Sequence, residues 1–182
     1  MVVHDPSVMP LARDLLACFA QELDKVENPP AYVQFRAGTV VDHLLSTTQD
    51  ECCEGLGWVR PAGFLPSSSV FPQQDEAPLP KGTNAWAITL ELGVIRCMPT
   101  PDETEIPTGE QWDAVTQVIM DDAAAMRRAI CCFIAAVPSR VRRTLPREWQ
   151  PISIQGGCVG GVMSVVIQGP ACDCNEAGPE SS

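Results

Sequence analysis

Positive charge is scarce in this chain, as are histidine and long apolar runs. Lysine and arginine total 12 against 23 aspartates and glutamates, a formal net charge of −11. Gripping a nucleic-acid backbone requires a basic surface that releases counterions, so this balance argues against that role. It suits a passage through which DNA slides without sticking, and it equally suits plain solubility. Only two histidines occur. His4 lies near the start and His43 follows an ambiguous segment, and no flanking sequence marks either as half of a Cys/His dyad. No run approaches the ~20 apolar residues that span a bilayer. The opening residues, MVVHDPSVMPLARD, lack a basic region followed by an apolar stretch. No secretory signal is expected, and the expected compartment is the cytosol of the producing cell. Apolar material is ample: 45% of 182 residues, enough for a sizeable core within one domain.

Nine cysteines stand against these shortages, two of them adjacent in DECCEGLGWVR. A structural zinc site shows ligand pairs such as CxxC, and none occurs here. Cys52-Cys53 and Cys131-Cys132 are neighbours, which face opposite sides of a strand or point about 100° apart on a helix. Either geometry chelates one ion poorly. Cys172 and Cys174 have the spacing to bite a metal, but no histidine lies near them. The odd count and a reducing cytosol argue that most cysteines serve as small buried apolar residues. Cys131 and Cys132, in AICCFIAAV, fit that best. Oxidation after release would pair Cys52 or Cys53 with Cys97 or Cys158. The glycine-rich GGCVGG lacks the GK[ST] ending of a phosphate loop and precedes a strand, so it reads as a hairpin turn. No catalytic residue, metal or cofactor is expected.

Periodicity supplies the elements. Val8, Leu11, Leu15, Phe19, Leu23 and Val26 predict a helix over about 7–26, capped by Asp5 or Ser7 and stopped by Asn28-Pro29-Pro30. Tyr32, Gln34 and Arg36 alternate with Val33 and Phe35 in a strand ending near Gly38, and Val40 to Leu45 reads as strand or helical turn. GLGWVRPAGFLPSSSVF reads as an interrupted strand or two short ones, because Pro61 and Pro66 argue against an unbroken central strand. Residues 72–84 form an exposed loop long enough to reach a neighbour. The clearest strand is 84–97, with Trp86, Ile88, Leu90, Leu92 and Val94 on one face.

Thr108-Gly-Glu-Gln111 has the form of a capping box and opens the longest helix, about 108–136. Its stripe runs through Trp112, Val115, Ile119, Met126, Ile130, Phe133 and Val137. Asp121 and Asp122 interrupt the middle, in reach of Arg127 and Arg128, and are expected to be solvated or to lie at an interface. A basic connector, SRVRRTLPRE, carries Arg140, Arg142, Arg143 and Arg147. Strands at Ile152 to Gln155 and Val162 to Gln168 flank GGCVGG. The pattern predicts an α+β domain over 1–170, a mostly antiparallel sheet covered by two helices, followed by an acidic tail over 171–182.

Three stretches carry a family resemblance: WAITLELGVIRCMPTP, the helix TGEQWDAVTQVIMDDAAAMRRAICC, and EWQPISIQGGCVGGVMSVVIQ. With CCEGLGWVR they cover roughly residues 50–170 and resemble the head–tail joining and tail-completion proteins of long-tailed actinobacteriophages. Within that group the layout looks like the tail terminator. The resemblance implies a structural virion protein, not an enzyme: a homohexameric ring at the tail–neck junction, assembled in the host cytoplasm. Such a ring caps the tail tube, stops its polymerisation and joins it to the head connector. Implied partners are further copies of the chain, the major tail tube protein and a connector or stopper. DNA would pass through the lumen without specific binding, and no membrane is involved. Ring contacts are expected from Trp58, Phe71 in the 71–83 loop, and Arg140, Arg142 and Arg143. Another neck protein, a connector or stopper, is the nearest alternative. A cysteine-dependent enzyme or metal-binding module is the alternative of a different class.

Overall fold

The computed structural model describes residues 5, 7–38, 54–76, 85–99, 106–136, 143–155 and 157–170. Helix α1 spans Val8–Leu23 and is followed by strands β1 (Tyr32–Phe35), β2 (Leu56–Pro66) and β3 (Ala85–Cys97). Helix α2 spans Gly109–Ala136 and leads into β4 (Arg143–Gln155) and β5 (Cys158–Pro170). The strands form one five-stranded sheet in the order β1-β2-β3-β5-β4. β1 pairs with β2 in parallel and the other pairings are antiparallel. The fold is α+β with a mostly antiparallel sheet.

One face of the sheet carries both helices. Ile88, Leu90, Leu92 and Val94 of β3 point into a core shared with Leu15 and Phe19 of α1 and Met126 and Phe133 of α2. β5 adds Met163, Val165 and Ile167 from the register positions directly opposite. Each fully buried Leu, Ile or Phe contributes roughly 1.5–3 kcal/mol, so this face dominates the stability. Helix α1 starts as its sequence requires. The Asp5 carboxylate accepts from the N–H groups of Val8 and Met9 at 2.7 and 2.6 Å, while Ser7 makes no side-chain cap.

Several expectations need correction. β2 is one strand, not an interrupted pair, and it runs inside the sheet. Its pairing with β1 ends at Val59, so Pro61 and Pro66 lie beyond the β1 register. A missing N–H is tolerated there, and a register shift between Pro61 and Gly63 absorbs the irregularity. The basic connector is partly strand, because β4 begins at Arg143. GGCVGG is not all turn: β5 already starts at Cys158, and Gly157, at φ 80°, supplies the positive dihedral. Gly160 is small because a strand lies against it; a Cβ there would sit 2.0 Å from the Val94 carbonyl oxygen. The segment 40–45 and the tail lie outside the described residues.

The other face of the sheet holds a smaller cluster of Leu56, Trp58, Ile95 and Cys158. Trp58 lies opposite Gly93, and a Cβ on Gly93 would meet its ring at 2.1 Å. The indole therefore covers the glycine across the strand pair. Beside it the Arg60 Nε and Nη2 donate to the two Glu91 carboxylate oxygens at 2.7 and 3.0 Å.

Candidate functional site

Helix α2 does not end where the core ends. Its buried residues begin at Asp122 and include Ala125, Met126, Ala129, Ile130 and Phe133. From Gly109 to Asp121 no residue is buried. At about 1.5 Å per residue, these first turns span about 20 Å. The extension is nonetheless a well-formed helix. The Thr108 N–H donates to Gln111 Oε1 at 2.8 Å, and the Gln111 N–H donates to Thr108 Oγ1 at 3.3 Å. This is the reciprocal capping box read from the sequence.

Along the extension the stripe residues Val115 and Ile119 are half-buried, while other apolar side chains are exposed. Trp112 is 38% exposed and Met120 44% exposed, and Ile106 just before the helix is 87% exposed. Trp112, Thr116 and Met120 follow one another at steps of four, so they form a ridge. Its charges are of one sign: Glu110, Asp113 and Asp121, with no lysine or arginine from 106 to 126. A cleft of ≈230 Å³ runs along its other side, between Val26, Glu27 and Asn28 and the helix residues Ala114, Gln117, Val118, Asp121 and Asp122.

From its midpoint onward α2 is anchored by three ties. Asp122 is not solvated, as the sequence suggested, but buried. It accepts from Arg96 Nε at 2.8 Å and from Arg96 Nη2 at 2.7 Å. Burial pushes its carboxyl above the usual range, against the pull of the guanidinium. Arg128 reaches Glu22 of α1, 2.9 Å from its Nε, and the same carboxylate accepts from Lys25 at 2.5 Å. Lys25 and then Arg128 hold Glu22 below the usual range, although burial opposes them. The third tie is a disulfide between Cys18 and Cys132, with Cα atoms 5.8 Å apart. The expectation that Cys131 and Cys132 are both buried thiols is corrected on each count. Adjacent helical positions diverge by about 100°, so Cys132 faces α1 while Cys131 is exposed and free. Cys97 and Cys158 also take part in disulfides.

The expected contact residues scatter. Trp58 is 0% exposed and packed over Gly93, so it serves the interior and is unavailable to a partner. Phe71 is half-exposed in a tight loop that closes on itself. There the Asp75 N–H donates to the Pro66 carbonyl at 3.0 Å, and the Asp75 carboxylate accepts from the Ser68 N–H at 2.6 Å. The Ser68 N–H above all draws the Asp75 carboxyl below its ordinary range. Gln168 Nε2 ties the loop to β5 through the Ser67 carbonyl at 2.9 Å. Residues 67–76 are thus a compact turn, and the rest of the loop expected over 71–83 lies outside the described residues. Arg143 is exposed on the edge strand β4, with Arg147 beyond it. Arg147 lines an open concavity of ≈510 Å³ together with Pro146, Glu148, Gln150, Val162, Met163, Ser164 and Glu91.

Arg140, Arg142, His4, His43, Cys52, Cys53 and residues 77–84 lie outside the described residues. Among the described residues no group of three or more His, Cys, Asp or Glu is placed to hold a metal ion. No described helix is long and apolar enough to cross a membrane. The sequence reading missed the exposed ridge and the concavity. The stripe Trp112, Val115, Ile119 was visible, but the exposed ridge is the neighbouring row Trp112, Thr116, Met120, only one member of which belongs to that stripe. Nothing local says where the sheet stops. No protein-family model and no curated protein matches the chain.

Proposed function

We propose that the chain is a structural assembly protein of a phage virion, a tail terminator whose copies close into a ring on the finished tail tube. The ring would stop tube polymerisation and meet the head connector. The observation that carries this reading is the extension of α2. A capped, preformed helix displays Trp112 and Met120 on an otherwise acidic surface. Large apolar side chains held out on a rigid element are what an assembling subunit needs, since little ordering entropy is lost on contact. The α+β fold and the sequence resemblance over residues 50–170 agree with the tail terminator. The surplus of acids suits a passage that DNA traverses without adhering.

Electron microscopy of particles made without this protein tests the reading. Tails of uncontrolled length and unjoined heads are the expected result. Free tails of normal length beside heads that leak DNA would replace it with a stopper role. Intact, normally joined particles would end both.

A further inference from the structure

We draw no further inference here: the strongest candidate, the exposed ridge of Trp112, Thr116 and Met120 on the first turns of α2, is an unpartnered helix face, and nothing in the structure shows what covers it.

Discussion

Arg96 and Asp122 offer the sharpest energetic test of the fold. The pair is bidentate, at 2.7 and 2.8 Å, and both side chains are nearly inaccessible, at 9% and 4% exposure. Removing one partner leaves the other charge buried and unpaired, which costs about 3–5 kcal/mol. For a chain of this length each kcal/mol moves the melting midpoint by about 2–4 °C, so Arg96→Leu alone should lower it by roughly 6–20 °C. The pair itself adds little, because burial outweighs the guanidinium and leaves the Asp122 carboxyl raised. Arg96→Leu with Asp122→Leu should therefore fall within about 1 kcal/mol of wild type or exceed it. The pH dependence has a definite sign. A raised folded pKa means that the folded state binds the proton more tightly. This group's contribution is most favourable below the unfolded carboxylate value and declines as pH rises through the folded one. The double variant should lose that slope. Urea unfolding of the four proteins from pH 3 to 7 gives the full cycle. Additive single costs, with the double variant least stable of all, would refute the argument.

Other expectations follow from the same geometry. The Cys18–Cys132 disulfide closes a separation of 114 residues, so Cys18→Ala should cost about 2–5 kcal/mol by calorimetry under oxidising conditions, and equal midpoints would count against the bond. Gly93→Ala drives a methyl into the Trp58 ring, 2.1 Å from its nearest atom, and should cost about 1–3 kcal/mol or more; adding Trp58→Leu should recover part of it. Glu22 titrates below its ordinary range, so its contribution is complete above the unfolded value and is lost as pH falls through the folded one. Glu22→Gln should flatten the acid limb of stability against pH in urea titrations, and an unchanged limb would show that Lys25 and Arg128 leave it unaffected. Thr108→Ala removes one half of the capping box and should cost about 0.5–2 kcal/mol locally. Hydrogen exchange should then speed up in the first turns of α2 and not around Phe133.

Two features that depend on neighbouring residues stand as the sequence predicts them. The capping box at Thr108 and Gln111 involves two residues three apart, so no knowledge of the fold is needed to see it. The buried face of β3 shows as strict alternation, because both its neighbours and the helices above demand apolar residues at the same positions. What failed depends on distant partners. Asp122 looked solvated because its cation, Arg96, comes from β3 and not from the same helix. Trp58 looked like an anchor because the glycine it covers lies 35 positions on, across a strand pair. Gly160 and Gly161 looked like a turn, yet they are small to admit the Val94 backbone and the Trp149 ring. The parallel β1–β2 pairing and the sheet order have no local signature. The charge bias of 106–126 and the arginines Arg143 and Arg147 were visible in the sequence, but not that these residues are exposed.

The three ties on α2 are unevenly placed, and that asymmetry bears on function. Asp122, Arg128 and Cys132 all lie from its midpoint onward, and they reach β3 and α1 by an ion pair, another ion pair and a covalent bond. A helix buried along one stripe does not need three such links to stay in place; apolar packing of Met126, Ile130 and Phe133 would hold it. Links of this kind fix direction as well as position, because a bidentate pair and a disulfide each tolerate little rotation. Fixing the direction of the anchored half fixes the direction of the free half, since a helix transmits orientation along its length. A heterologous contact forms a ring only if its rotation closes, so in the proposed assembly that angle would matter as well as the affinity. In the ring proposed above, these anchoring residues would act from inside the fold by setting the direction of the helix.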